Sequence, residues 1–142
     1  MKTNNIYVLD NSVVCKPLFK EEGADIVEKI FTKKENFEIM ILLPEIFRFE
    51  FFNAAARKKS AEIAYAAYES FAEKQVSIIP NESDLIKKTL RIMKKHPRVS
   101  FYDASYHALA MAYDGLFITA DREYYMETKD EGNIRLLKDL KL

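Results

Sequence analysis

Cysteine, glycine and proline are scarce in this chain, and tryptophan is missing altogether. With a single cysteine, Cys15, among 142 residues, no internal disulfide can form, so nothing in the composition implies an oxidising compartment. Three glycines and four prolines are too few for the repeated tight turns of a β-sandwich and favour long helices. Neither sign of charge dominates. The 22 Lys and Arg residues balance 22 Asp and Glu for a formal net charge of +0, which excludes a uniformly basic coat for nucleic acid and leaves room for a local patch. Long apolar runs are also lacking. The longest, Ile39–Leu43, falls far short of a membrane span, and the stretch ahead of Asp10 is too brief for a signal peptide. What the chain does have is 49% hydrophobic residues, which rules out intrinsic disorder and suffices at this length to bury a core. No repeat, low-complexity tract or linker divides it. The expectation is one soluble, cytoplasmic domain over residues 1–142, with no membrane association.

Short apolar runs alternate with longer segments of helical spacing. Ile6–Leu9, Ile39–Leu43, Val76–Ile79 and Leu116–Thr119 read as strands, with Ile134–Leu137 a possible fifth. Between them, Ile26, Val27, Ile30 and Phe31 recur at helical intervals. Pro44 suits the first position of a helix reaching about Arg57, and a further helix runs from about Ala61 to Glu73. The next carries Ile86, Leu90 and Met93 on one face and ends before Pro97. Ser100 opens another, with Phe101, Ala104, Ala108 and Leu109 inward, and Gly115 is its natural C-terminal cap. Strands separated by helices predict an α/β domain of three layers, its central sheet mostly parallel with four to five strands and helices on both faces.

In such sheets, sites form beyond the carboxyl ends of the strands. Asp10 follows the first strand and Asp121 the fourth. Asp103 lies in the first turn of the helix leading to the fourth strand, and Glu50 lies within the helix after the second. Each has a local explanation as well: Asp10 and Asp121 as helix caps, Ser100-x-x-Asp103 as a variant of the capping box, Glu50 as a solvated group, although Phe47, Phe49, Phe51 and Phe52 surround it in sequence. The joint arrangement says more. Two carboxylates ~4 Å apart repel by about 4 kcal/mol at an effective dielectric near 20, a large cost against a net stability of ~5–15 kcal/mol. Converging acids therefore need protons or a cation, and hard oxygen donors suit Mg²⁺ or Mn²⁺. Cys15, His96 and His107 are too few and too scattered for zinc. Divalent ions held by carboxylates keep open positions for phosphate oxygens, which points to phosphodiester hydrolysis.

A basic stretch precedes Asp103. At helical spacing Lys87, Arg91, Lys94 and Arg98 share one face, which reads either as a phosphate-contacting strip or as the solvated side of an amphipathic helix. Arg57-Lys58-Lys59 reads as a helix C-terminal cluster. His107, one turn beyond Asp103, is expected to be packed. Most aromatic residues belong to core faces, although those at Phe47–Phe52, with Tyr65, Tyr68 and Phe71, could also line a partner groove. The small residues of Ala61–Ala67 are compatible with a dimer.

Four blocks, Tyr7-Val-Leu-Asp10-Asn-Ser12, Leu43-Pro-Glu-Ile-Phe-Arg-Phe-Glu50-Phe-Phe-Asn53, Ser100-Phe-Tyr-Asp103-Ala-Ser-Tyr-His-Ala-Leu-Ala110 and Phe117-Ile-Thr-Ala-Asp121, together resemble a PIN domain, closest to the VapC-type toxins of toxin–antitoxin pairs. The resemblance implies a PIN-like fold and an acidic metal site at Asp10, Glu50, Asp103 and Asp121, supported by Ser12, Asn53 and Thr119. It also implies Mg²⁺ or Mn²⁺ as cofactor, an RNA substrate cut to leave a 3′-hydroxyl and a 5′-phosphate, and an antitoxin partner. A homodimer is expected. The chain departs from the family pattern at His107, where an aliphatic residue is usual, and at Asn11, where a small hydroxyl is common. Glu45 is a second acid beside the second block, so either it or Glu50 completes the site. The alternative within the same fold is a non-catalytic RNA-binding or assembly module.

Overall fold

The computed structural model describes residues 5–74 and 76–142. Ile6–Leu9 forms β1, and Asp10 then caps α1 (Asn11–Val14). A second short helix, α2 (Lys16–Phe19), leads into α3 (Ala24–Glu35). β2 (Met40–Pro44) is followed by α4 (Ile46–Lys58) and α5 (Ala61–Glu73), the latter capped by Ser60, whose hydroxyl accepts from the Ile63 N–H. β3 (Ser77–Ile79) precedes α6 (Ser83–Lys95) and α7 (Phe101–Ala112). Then come β4 (Leu116–Thr119), α8 (Arg122–Thr128) and β5 (Ile134–Leu136), with short 3₁₀ turns at Lys129–Glu131 and Leu137–Asp139.

The five strands pair in parallel throughout, in the order β3-β2-β1-β4-β5. Val8 at the centre registers with Leu42 on one side and Phe117 on the other. Val8, Leu9, Leu43 and Ile118 are wholly buried, as expected of strands covered on both faces. Connections between parallel strands are right-handed. The chain steps from β1 outward to β2 and β3, which puts α1–α5 on one face. It then crosses back to β4 and β5, which puts α6–α8 on the other, where α7 packs over β1, β2 and β4. The direction of winding reverses between β1 and β4, and a crevice opens at such a reversal beyond the carboxyl ends of the two strands.

Three local expectations are corrected. Pro44 ends β2 and does not open α4. The Met40 N–H donates toward β1, to the Asn5 carbonyl at 2.7 Å, and the Glu45 N–H toward β3, to the Ile79 carbonyl at 3.0 Å, so the absent N–H of Pro44 falls on the β1 side at the last position of the ladder. In α6 the buried residues are Leu85, Thr89 and Ile92, whereas Leu90 is 51% exposed. Thr89 can face inward because its hydroxyl donates to the Leu85 carbonyl at 2.8 Å. Gly115 does not supply the left-handed turn after α7, since Asp114 adopts it, with φ 54°. The glycine is required for another reason: a Cβ there would stand 2.7 Å from the Ile6 carbonyl oxygen. Among the described residues no helix is long and apolar enough to cross a membrane.

Candidate active site

The crevice between β1 and β4 is where the aspartates stand. Asp10 leaves β1 and its Oδ1 accepts the Ser12 N–H at 3.3 Å, so Ser12 supports it through the backbone while its own side chain faces solvent. Asp10 Oδ2 accepts the hydroxyl of Thr119 at 3.0 Å. Thr119 is fully buried at the end of β4, and its oxygen also accepts the Asp121 N–H at 3.0 Å. One hydroxyl thus ties the two strand ends together. Asp121 caps α8, its Oδ1 taking the Tyr124 N–H at 3.0 Å. Asp103 sits in the first turn of α7, with its N–H donated to Ser100 Oγ at 3.0 Å. The capping bonds foreseen in the sequence are real, and those of Asp10 and Asp121 orient their carboxylates.

Glu50 reaches the same region from α4, on the opposite face. Its Oε1 accepts the Tyr106 hydroxyl at 2.6 Å. Tyr106 is wholly buried, one helical turn beyond Asp103 on α7, and burial followed by the Glu50 charge pushes its phenol well above the usual range, so it remains a proton donor. Sequence reading assigned Tyr106 no function, because an aromatic at helical spacing looks like any core residue. Only its place three residues after Asp103 signalled a shared helix face.

The acids feel one another's charge. Burial first, then the Asp103 charge, pushes Asp10 up to about 6 against the opposing bonds from Ser12 and Thr119, and Glu50 adds to the rise. Asp103 is raised by burial and by Asp121. Glu50 is raised by burial and Asp103, opposed by its bond from Tyr106. Glu45, at the start of α4, is not among the charges that raise Asp10 or Asp103. Among the described residues no group of three Asp, Glu, His or Cys side chains is gathered closely enough to hold one ion, so the acids form a loose group of neighbouring charges and not a closed cage. The donor set nonetheless fits Mg²⁺ or Mn²⁺. It consists of carboxylate oxygens alone, and burial and mutual repulsion raise three of the carboxyls, which a divalent cation would offset.

Beside Asp103 and Asp121 opens a cleft of about 470 Å³, also lined by Arg98, Ser100, Tyr124 and Glu127. Arg98 lies beyond the end of α6 and so leaves the helical face it was expected to share, its guanidinium 3.4 Å from Glu127. Lys87, Arg91 and Lys94 are exposed on α6 outside the lining of this cleft. His96, outside the lining of this cleft, lies with Nδ1 3.4 Å from Glu127 and Nε2 2.8 Å from Glu131. This pairing left no trace in the sequence. Asn53 is exposed one turn after Glu50 and makes no side-chain hydrogen bond among the described residues.

His107 is fully buried and does not face the acids. Its Nε2 lies 2.8 Å from the Gly132 carbonyl, which can only accept, so that nitrogen carries the proton and Nδ1 accepts from the Tyr124 hydroxyl at 2.9 Å. Burial lowers its pKa, against the opposing Gly132 bond. Cys15 is buried too, and burial pushes its thiol up to about 12, which leaves it inert at neutral pH.

The family model of the PIN domain matches residues 7–129. Among solved structures the chain is similar to VapBC2 from Rickettsia felis bound to a DNA fragment from their promoter, at 15% identity over 92% of this chain and 96% of that one, with a TM-score of 0.71. It is similar to VapBC-1 from nontypeable Haemophilus influenzae at 18% identity, over 94% and 99% of the two chains, with a TM-score of 0.70. A toxin–antitoxin complex from Klebsiella pneumoniae aligns at 13% identity over 94% and 99%, with a TM-score of 0.68. At these identities the likeness is one of fold. No curated protein matches the sequence.

Proposed function

The chain belongs to the PIN-domain family, and on that premise we propose that it is a metal-dependent endoribonuclease, the toxin of a toxin–antitoxin pair. The observation that carries this reading is the group of Asp10, Glu50, Asp103 and Asp121 at the winding reversal of the sheet, three of whose carboxyls are raised by burial and by a neighbouring acid's charge. Asp10, Asp103 and Asp121, with Glu50, would hold Mg²⁺ or Mn²⁺, which when bound neutralises the acids and lowers the pKa of a water. The chain's own residues do the positioning. Thr119 fixes Asp10 and the Asp121 backbone in one frame. Tyr106 occupies Glu50 Oε1 and leaves Oε2 free to orient the attacking water. Attack on phosphorus expels the 3′-oxygen and gives a 3′-hydroxyl and a 5′-phosphate. Arg98, at the lip of the cleft, contacts substrate phosphate, and Lys87, Arg91 and Lys94 extend that positive surface along α6.

An antitoxin partner is supported by the fold shared with a structure solved as a toxin–antitoxin complex. Homodimerisation is part of the proposal, with Ile63 and Tyr65 exposed on α5, and sedimentation of the purified protein tests it. The decisive experiment is Asp103→Asn. Cleavage of single-stranded RNA in Mn²⁺ is expected to fall by at least ~100-fold with a thermal melt no lower than that of wild type, and retained metal-dependent cleavage would refute the assignment. The non-catalytic alternative draws on the capping bonds of Asp10 and Asp121. It predicts no carboxylate-dependent uptake of Mn²⁺ by calorimetry.

A further inference from the structure

A second cleft, of about 490 Å³, opens on the far side of Asp121 from the Arg98 cleft, and its lining includes Ala120 and Arg122, the two residues flanking that aspartate. Its other walls come from the α2–α3 turn, through Lys16 and Ile26, and from the end of β5, through Leu137 and Lys138. The rim carries three cations, Lys16, Arg122 and Lys138, against two acids, Glu22 and Asp25. Lys16 stands 4.0 Å from Glu21, whereas neither Arg122 nor Lys138 makes an ion pair among the described residues. These two exposed cations contrast with Lys95 and Arg98 on the other side, which face Glu131 and Glu127. The floor is apolar and close to the backbone. At Gly23, with φ +96°, a Cβ would be strained and would press within 3.1 Å of Leu137 Cδ2 and 3.3 Å of Lys16 Cδ in the cleft lining.

From this juxtaposition we infer that the Lys16–Arg122–Lys138 cleft is a binding subsite for the stretch of single-stranded RNA adjoining the scissile bond. Arg122 and Lys138 engage successive backbone phosphates, and the half-buried Ile26 takes the face of a sugar or base. The inference rests on the proposed ribonuclease reading and extends it, because it gives the strand an exit. A chain passing Asp121 leaves the α7 face of the sheet edge at the Arg98 cleft and enters this one on the α3 side. An acidic centre repels the polyanion it must cut, and uncommitted cations immediately beyond it offset that repulsion without entering the site.

The test measures binding of a fluorescein-labelled single-stranded RNA 12-mer by anisotropy, in EDTA so that nothing is cut, across a salt series. The double variant Arg122→Gln/Lys138→Gln is expected to bind roughly tenfold more weakly at low salt, with its salt slope shallower by about 1.4, the contribution of two single-strand phosphate contacts. In Mn²⁺ its KM for the same RNA should rise while kcat stays within about twofold of wild type. Removing equal charge with Arg57→Gln/Lys59→Gln at the C-terminal end of α4 should leave slope and KM unchanged. The inference is overturned if the first pair keeps the wild-type slope, if the control pair costs as much, or if the wild-type protein does not bind the RNA. Failure of the wild-type protein to cleave in Mn²⁺, with binding and its slope difference intact, would overturn the ribonuclease reading and leave the subsite standing.

Discussion

Asp10 carries a cost that its neighbours create. Its carboxyl titrates near 6 in the fold, against ~3.9 in an unfolded chain. A raised acid binds its proton more tightly when folded, so the stability it contributes is complete below about 3.9 and is lost as pH rises through 6. Asp10→Asn removes the charge and keeps a good helix cap, since Asn and Asp cap equally well. The variant is therefore expected to be inactive yet more stable than wild type at pH 7.5, by on the order of 2 kcal/mol, with the difference vanishing at pH 4. Urea melts at the two pH values check this. His107 runs the other way. Its lowered pKa means that its contribution is present above the unfolded value of ~6.5 and declines as pH falls below it. Tyr106→Phe keeps the ring and deletes one donor to Glu50. Steady-state kinetics should show kcat falling by about tenfold with KM little changed, and melts a loss of roughly 1.5–3 kcal/mol for a bond to a charged group. The aspartates at strand ends were legible in the sequence because their neighbours mark the ends. Tyr106 was not, because its hydroxyl meets an acid 56 residues away and nothing local distinguishes it from packing.

At the scale of elements, the alternation of short apolar runs and helical spacing placed all five strands, because parallel strands buried on both faces are nearly continuous in apolar residues. Where the reading slipped, side-chain chemistry decided. The inward face of α6 is displaced because Thr89 satisfies its own hydroxyl within the helix and so competes for the buried position. Leu90→Lys is accordingly expected to be nearly neutral, within about 0.5 kcal/mol, while Ile92→Ala should cost roughly 2–5 kcal/mol. Chemical denaturation of the two variants discriminates this orientation from the one with Leu90 inward. Arg98 was read as a continuation of α6, but the helix stops at Lys95. That stop turns the guanidinium toward the cleft and away from the exposed strip.

For the molecule as a whole, acids brought from both faces of the sheet to one edge make the site inseparable from the complete fold. Titration with Mn²⁺ at pH 7.5 is expected to raise the melting temperature of the wild-type protein and to leave that of Asp10→Asn/Asp103→Asn unmoved, because the cation stabilises by relieving repulsion that the variant lacks. The pairing of His96 with Glu127 and Glu131 likewise joins segments more than 30 residues apart, which no local pattern encodes. Gly115 packs against the Ile6 carbonyl at the end of β1 away from Asp10. A methyl group there would wedge the two central strands apart at their amino ends without touching a single charge. Gly115→Ala should therefore behave as a heat-sensitive variant, folded in the cold and lost on modest warming, with every carboxylate of the acidic site still in place.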